Sequence, residues 1–231
     1  APIVAWLACV CIAAHQSNGA DQPGSESQVR VLPNIVLVMA DDLGWGDVGF
    51  NGNTIIQTPN LDDMAKQGLV LSRFYAAAPV CSPTRGSVLT GRHPRRYGID
   101  FANVGHLPDD EFCLATKLKD LGYATGHFGK WHLGTLTKNE KDANRGGPKN
   151  AAHFAPPQRR GFEVCFSTES KVPTFDPLIK PPNAGNKWWD PVSSDEHSVS
   201  YGTAYWDEAG NKVATPLLGD DSRLVVDRAN Q

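Results

Sequence analysis

Two adjacent carboxylates are the first residues whose types and spacing could do chemistry. Asp41 and Asp42 follow the apolar run Ile35–Met39 after a single alanine and precede glycines at positions 44, 46 and 49. Adjacent carboxylates repel each other, so a cation would stabilise them, and their hard oxygens suit Ca²⁺ or Mg²⁺. A solvated Asp-Asp turn, which is common, is the alternative interpretation.

A cysteine, Cys81, opens the stretch CSPTRGSVLTGR. Its thiol could be a nucleophile, a metal ligand, half of a disulfide or part of the core. We expect Ser82 to cap a helix that Pro83 opens and Gly91 closes, and helix N-termini attract anions. Arg85, one turn later, adds a forked cation that matches a tetrahedral oxyanion. The pattern fits a nucleophile beside sulfate or phosphate as well as it fits a buried cysteine before a helix.

The third candidate is the glycine-flanked stretch GKWHLG, which contains Lys130 and His132. In extended backbone, side chains two residues apart point the same way. Lysine would supply a permanent charge, and histidine a proton that moves near neutral pH. The alternative is a surface loop with a packed tryptophan, Trp131.

The elements around these residues alternate between strand and helix. Ile35–Met39 is typical of a strand buried on both faces of a parallel sheet, and ligands sit outside the carboxyl ends of such strands. The pattern predicts a helix from Pro59 to Gly68, a strand over 69–79, the helix after Cys81, and a further helix and short strand before GKWHLG. This alternation predicts a three-layer α/β/α fold with a mostly parallel central sheet.

The later part of the chain is richer in loops. Residues 201–217 predict a β-hairpin that turns at 208–211, and residues 220–231 predict the first turns of a helix. Trp188, Trp189 and Trp206 either pack or stack on sugar rings, and we favour packing.

Composition narrows the class of protein. The 231 residues carry a net charge of -3 and no basic run, so charge offers no reason to expect nucleic acid as a partner. The opening 14 residues are apolar and uncharged, fewer than the roughly 20 that span a bilayer. They suit the apolar region of a signal peptide over residues 1–20, with export to periplasm, extracellular space or an endomembrane lumen. The alternative is a buried N-terminal strand or helix.

The cysteines form no disulfide framework. Two of the five, Cys9 and Cys11, lie in the predicted signal, and Cys81, Cys113 and Cys165 are far apart in sequence. Because no CxxC pattern is present, the spacing favours neither a metal cluster nor a fixed set of bridges. Cys113 and Cys165 are either a pair or two buried thiols.

Taken together, these stretches resemble the type I sulfatases of the alkaline-phosphatase-like superfamily. CSPTRGSVLTGR is similar to their first signature and GYATGHFGKWHLG to their second, and PNIVLVMADDLGWGDVGFNG is similar to their N-terminal pattern. The similarity is dense from about residue 33 to residue 134. GFEVCFSTES is similar to a later segment of the same family.

The resemblance implies a reaction and its residues. It implies that a maturation enzyme oxidises Cys81 to formylglycine, whose hydrated aldehyde attacks the sulfur of a sulfate ester and then expels sulfate as the carbonyl re-forms. It implies that Asp41, Asp42 and residue 81 bind a divalent metal, usually Ca²⁺, with Mg²⁺ as the alternative. The resemblance also implies catalytic roles for four residues: Cys81, Arg85 at the hydrated aldehyde, Lys130 at the sulfate and His132 as the base for sulfate release. Ser167 or Ser170 is a loose match to a substrate-side serine of the family.

One departure from the family pattern limits the prediction. The family's remaining metal ligands, an Asp-Asn pair, and a second lysine have no convincing counterpart after Leu136. Residues 30–231 are therefore expected to be the N-terminal part of a sulfatase catalytic domain. A sulfuric ester hydrolase acting on an aryl sulfate or sulfated carbohydrate is the leading hypothesis. A phosphonate or phosphate monoester hydrolase of the same superfamily and an inert fragment that only binds sulfated glycans are the alternatives, with no stable membrane span in any of them.

Overall fold

The computed structural model describes residues 7–11, 32–180, 199–200, 203–213 and 217–231. The chain divides into two compact units, Ala1–Pro79 and Val80–Gln231. Of the predicted signal segment only the backbone of residues 7–11 is described, and the signal stays a prediction. Trp188 and Trp189 lie outside the described residues.

The first unit contains the predicted strand before the two carboxylates. Strand β1, Leu7–Cys11, pairs antiparallel with strand β2, Ile35–Met39. The strand prediction is confirmed, but burial on both faces is wrong for this unit, because Ile35 is 43% and Val38 54% exposed. Its described neighbour is also antiparallel, whereas a strand covered on both faces is typical of parallel sheets.

A glycine-rich turn joins β2 to the first helix. It contains two short 3-10 helices, Trp45–Asp47 and Gly49–Asn51, and helix α1 follows at Pro59–Gln67 as predicted. The Thr58 hydroxyl accepts a hydrogen bond from the Gly49 amide at 2.7 Å and donates one to Asp62 at 2.9 Å. Glycine at position 49 suits this approach, because a Cβ there would collide with the Asp62 carboxylate.

The strand predicted over residues 69–79 is wrong. This segment forms turns and bends, and its apolar side chains, among them Leu69 and Tyr75, are largely exposed. A run of apolar residues becomes a strand only when a neighbouring strand accepts its backbone hydrogen bonds, and none among the described residues pairs with this run.

The second unit holds four helices, six strands and two more 3-10 helices in its described residues. In chain order they are α2 Cys81–Thr90, α3 Pro94–Tyr97, α4 Leu114–Asp120, β3 Gly126–Lys130, β4 Lys141–Asp142, β5 Arg145–Gly146, the 3-10 helices Pro148–His153 and Pro157–Arg160, β6 Val164–Thr168, β7 Ile179–Lys180, β8 Val199–Ser200 and α5 Asp221–Ala229.

The parallel pair β3 and β6 organises this unit. Gly126 pairs with Val164 and Lys130 with Thr168, so both strands end at the same edge. Strands β4 and β5 form an antiparallel hairpin, and β7 and β8 form a short antiparallel pair. Because ligands bind beyond the carboxyl ends of parallel strands, the edge where β3 and β6 end is the position at which a site is expected.

The core of the second unit includes residues that follow β3 in the chain. One cluster of buried apolar side chains comprises Tyr97, Ile99, Leu107, Trp131, Leu133, Leu136, Ala204 and Trp206. The predicted hairpin is confirmed: Trp206 bridges to Lys212, and the turn closes through Asp207 and Asn211. Trp206 packs in the core, 5% exposed, as favoured from the sequence.

Candidate active site

Cys81 is the first residue of α2. Val80, in extended conformation, occupies the N-cap position, so the helix starts earlier than expected and Ser82 is not its cap. Ser82 instead lies in the first turn, 1% exposed. Pro83 is tolerated there because the first amides of a helix have no intrahelical partner. Gly91 ends the helix in the left-handed conformation, φ 68°, as predicted.

Helix α2 is held in place by Tyr97 of α3. The Tyr97 hydroxyl donates to the Pro83 carbonyl and lies 2.9 Å from the Ser87 hydroxyl. Gly86 permits this approach, because a Cβ there would lie 2.7 Å from the Tyr97 ring. Tyr97 therefore fixes the turn of α2 that follows Cys81.

Arg85 connects α2 to the end of β3. Its Nη1 donates to the carbonyl oxygen of Lys130 at 2.8 Å. The two stretches that the sequence singled out, 45 residues apart, therefore meet. Arg85 and Lys130 are brought together, and Cys81 stands one turn before Arg85 on the same helix.

The loop after β3 is locked to the segment after β6. The Trp131 amide donates to the Thr168 carbonyl at 2.9 Å, and the His132 amide donates to the Glu169 carbonyl at 2.8 Å. The Trp131 indole donates to the Ala155 carbonyl at 2.7 Å. Trp131 is packed, as the alternative interpretation expected, but the loop that contains it is buried and does not lie at the surface.

His132 is 3% exposed and has a left-handed φ of 56°. The backbone at His132 is therefore not extended, although extended backbone was expected for the prediction that Lys130 and His132 point the same way. The His132 Nε2 atom lies 2.7 Å from Asn103 Oδ1. Asn103, also left-handed with φ 63°, was not found from the sequence, because asparagine in a loop carries no signal of its own.

A buried ion pair supports this loop. Arg145 Nε lies 2.9 Å from Glu169 Oε1, and the two side chains are 5% and 0% exposed. Arg145 also donates to the Gly105 carbonyl at 2.6 Å. Because a buried charge without a partner is strongly destabilising, the two residues must stay together. The pair has no signature in the sequence, since 24 residues separate its members.

A second lysine lies at the same edge. Lys171, three residues after β6, and Lys130 are both partly buried. Burial lowers the pKa of Lys171, the Lys130 ammonium lowers it further, and the Glu169 carboxylate opposes both effects. Two cations held close together in this way favour an anion between them.

His127, inside β3, is a structural histidine. Its Nδ1 lies 2.7 Å from the Ser167 hydroxyl, and its ring packs edge-on against Trp131 and Phe162. Burial, followed by the positive charge of Arg85, lowers the pKa of His127 to about 3. The ring is therefore neutral at physiological pH and contributes packing rather than a mobile proton.

The two serines that loosely matched a substrate-side serine have different surroundings. Ser167 is paired with His127 and with the backbone of Trp206. Ser170 lies beyond the end of β6 and is 2% exposed, and its hydroxyl has no hydrogen-bond partner among the described residues. Of the two, only Ser170 stands on the segment that borders the candidate site.

Asp41 and Asp42 lie in the first unit, after β2, and both are exposed. Asp42 adopts the left-handed conformation, φ 58°, which turns the chain at the strand end. Two exposed carboxylates fit as part of a hard-cation site. Among the described residues, no group of three or more His, Cys, Asp and Glu side chains is gathered for a metal. Their role as metal ligands stays a prediction.

The remaining described cysteines do not take part in a bridge. Cys113 and Cys165 are both free and buried, so they are two buried thiols and not a pair. Burial raises the pKa of Cys113, and burial followed by the Glu208 carboxylate raises that of Cys165 to about 12. Cys81 differs from both in being partly exposed.

The α/β arrangement, with a candidate site where parallel strands end, defines the fold class, and comparison with known proteins identifies the family. The family model described as Sulfatase matches residues 33–197. The chain belongs to the sulfatase family, and its fold is the alkaline-phosphatase-like α/β fold that was predicted.

Several individual proteins are similar to the chain. Human steryl-sulfatase is 45% identical over 128 residues, which is 51% of this chain and 22% of that protein. N-acetylgalactosamine-6-sulfatase of Sus scrofa is 45% identical over 129 residues, 51% of this chain and 23% of that protein. The crystal structure of Ps i-CgsB matches with a TM-score of 0.58 and 28% identity, over 82% of this chain and 40% of that one.

The chain spans less than a quarter of the length of these curated relatives, 22% and 23%. In the part of the chain that the structure describes, no helix is long and apolar enough to cross a membrane.

Proposed function

We propose that this chain carries the nucleophile and the sulfate-binding edge of a sulfuric ester hydrolase. The observation that supports the proposal most directly is the hydrogen bond from Arg85 to the Lys130 carbonyl, 2.8 Å. It joins the helix that begins at Cys81 to the loop that contains His132. Sulfatase family membership supplies the reaction class.

Cys81 is the position of the nucleophile in this proposal. Converted to formylglycine by a maturation enzyme, residue 81 supplies a hydrated aldehyde, one hydroxyl for attack on sulfur and one for expelling sulfate. The first position of the ten-residue helix α2 suits this role, because free amides and the helix dipole favour a developing negative charge. Arg85 holds the helix against β3 and contributes positive charge.

The lysines receive the sulfate group, and His132 handles the proton. Lys130 binds a sulfate oxygen, and Lys171 adds a second ammonium at the same edge of the β3 and β6 pair. His132, nearly fully buried and anchored through its backbone to Glu169, acts as the base that assists sulfate release.

Asp41 and Asp42 would hold a divalent metal, Ca²⁺ or Mg²⁺, together with residue 81. Carboxylate oxygens are the ligands that these hard cations prefer, and a Ca²⁺ site takes about six to eight oxygens. When bound, the metal would polarise the sulfate oxygens and favour ionisation of the attacking hydroxyl.

We propose a sulfate monoester as the substrate, on an aryl or carbohydrate leaving group. Relatives named steryl-sulfatase and N-acetylgalactosamine-6-sulfatase, and the structure of Ps i-CgsB with k-i-k-neocarrahexaose, support a sulfate ester without selecting one scaffold. The apolar opening of the chain supports export of the protein to the compartments in which such substrates occur.

The test replaces the nucleophile. We expect the gene product that contains residues 1–231, produced with a formylglycine-generating enzyme, to show loss of the thiol mass at residue 81 and to hydrolyse a chromogenic aryl sulfate, whereas residues 1–231 alone should turn over slowly or not at all. Cys81→Ser should lose multiple turnover, at least about 1000-fold, because a single hydroxyl cannot expel sulfate by re-forming a carbonyl. Peptide mass spectrometry and steady-state rates are the measurements.

The matched control is Cys113→Ala, which removes a buried thiol outside the candidate site and should leave the rate unchanged. Full turnover by protein with an intact residue-81 thiol would overturn the proposed mechanism. If an aryl phosphate is hydrolysed faster than the aryl sulfate, the substrate is a phosphate ester and not a sulfate ester.

A further inference from the structure

The surroundings of His132 determine which of its ring nitrogens carries the proton. Nε2 lies 2.7 Å from Asn103 Oδ1, and that same oxygen accepts a hydrogen bond from Asn144 Nδ2 at 3.1 Å. An amide oxygen accepts but cannot donate. With Asn103 Oδ1 facing the ring, Nε2 must be the donor.

The two partners of this hydrogen bond are anchored to one another. The Glu169 carbonyl accepts the His132 amide at 2.8 Å, and the Glu169 carboxylate lies 2.9 Å from Arg145. Arg145 in turn donates to the Gly105 carbonyl at 2.6 Å, two residues after Asn103. The ring and the amide that faces it are therefore tied to the same buried ion pair.

Asn144 stands at the tip of the hairpin formed by β4 and β5. Asp142 pairs with Arg145, which leaves Ala143 and Asn144 as the two turn residues, and Ala143 has a left-handed φ of 46°. The tight turn thus brings Asn144 beside Arg145 to the Asn103 side chain. The hydrogen bond that Asn144 donates fixes the Asn103 amide so that its oxygen Oδ1 also faces His132 Nε2.

We propose that Asn103, oriented by Asn144, is a positioning residue that holds His132 as the Nε2–H tautomer and leaves Nδ1 as the basic nitrogen. The assignment of His132 as the base for sulfate release rests on the proposed function, whereas the tautomer is a property of the fold. The orientation of a catalytic imidazole by a partner on its other nitrogen is a general device.

The test is ¹⁵N NMR of the histidine side chains in the complete chain, with His132 identified by the His132→Gln variant. At a pH where the ring is neutral, the Nε2 resonance should be of the protonated type and its proton should exchange slowly with water. Asn103→Gly, which tolerates the left-handed backbone, should expose this proton to rapid exchange. Asn103→Asp, whose carboxylate can only accept, should retain the slow exchange.

Asn230→Gly, an exposed position at the end of α5, is the matched control and should change nothing at His132. A protonated Nδ1 in the unmodified chain would mean that both amides are turned over, and would overturn the proposal. Equal protection of the Nε2 proton in Asn103→Gly would also overturn it.

Activity gives a separate readout. In the mature enzyme, Asn103→Gly should lower kcat for sulfate release by roughly tenfold with little change in KM, the order expected for loss of an orienting partner. If Asn103→Gly changes the NMR signal of His132 but leaves kcat unchanged, His132 is not the base for sulfate release, and the tautomer assignment still holds. An inactive parent enzyme would contradict the proposed function alone.

Discussion

At the scale of single residues, the described cysteines and lysines of the second unit are distinguished by burial and by neighbouring charge. Cys113 and Cys165 are buried thiols with raised pKa values, whereas Cys81 is partly exposed at a helix N-terminus. Lys130 and Lys171 share one edge, where the Lys130 ammonium disfavours the charged form of Lys171 and so lowers its pKa. An anion relieves this repulsion, which is why the pair supports sulfate binding.

The prediction at this scale concerns Lys171. Lys171→Ala should raise KM for an aryl sulfate by about tenfold with a smaller effect on kcat, since a hydrogen bond to a charged group contributes about 1.5–3 kcal/mol. Steady-state kinetics measure the change, and weaker inhibition by inorganic sulfate should accompany it. Lys149→Ala, an exposed lysine, is the control. An unchanged KM and an unchanged sulfate inhibition constant would place Lys171 outside the anion site.

At the scale of elements, the position of α2 depends on a close approach to α3. Gly86 lies against the ring of Tyr97, whose hydroxyl donates to the Pro83 carbonyl. Arg85 connects the same helix to the end of β3 by its hydrogen bond to the Lys130 carbonyl. The helix that begins at Cys81 is thus held by one contact in its first turn and another at the parallel strands.

The prediction at this scale is a reversal of the usual effect of alanine. Gly→Ala inside a helix ordinarily stabilises by about 1 kcal/mol, but Gly86→Ala should lower the free energy of unfolding by roughly 1–3 kcal/mol because of overpacking. Chemical denaturation measures it. The control is Gly46→Ala, whose added Cβ meets nothing within 4 Å. A more stable Gly86→Ala protein would show that Tyr97 does not pack as described.

At the scale of the whole molecule, a buried ionisable side chain makes stability depend on pH. Asp142 is 1% exposed and accepts a hydrogen bond from the Trp206 indole at 2.7 Å. Burial raises the pKa of Asp142 to about 7, the Trp206 hydrogen bond lowers it, and the Glu169 carboxylate raises it. The folded state therefore binds the Asp142 proton more tightly than the unfolded chain does.

The sign of the pH effect follows from linkage. Between the unfolded pKa of 3.8 and the folded value of about 7, rising pH removes the proton from the unfolded chain first, so the stability that Asp142 contributes is lost. Each pH unit in this window costs about 1.4 kcal/mol. Asp142→Asn should abolish this contribution, so its stability relative to the unmodified chain should rise from pH 5 to pH 8.

Denaturant titrations at both pH values measure this difference, with Asp110→Asn, an exposed carboxylate, as the control. A constant difference between Asp142→Asn and the unmodified chain would mean that Asp142 is ionised across the window.

Local sequence was sufficient to predict the elements whose ends carry their own signals. Pro59 and Gly68 bound α1, Gly91 ends α2, and the turn at 208–211 forms the expected hairpin. These signals depend on backbone conformations that only neighbouring residues determine. The same holds for the candidate site: Cys81, Arg85, Lys130 and His132 were chosen from short stretches whose residue types are rare in combination.

Only the tertiary structure decided what those residues contact. The strand predicted over 69–79 does not form, because pairing with a distant strand cannot be read from an apolar run. Asn103 and Glu169 were invisible in the sequence, since each acquires its role from a partner at least 24 residues away. The sequence by itself thus determined the family and the candidate chemistry, whereas packing decided the orientation of His132, because burial and hydrogen-bond partners exist only once the chain has folded.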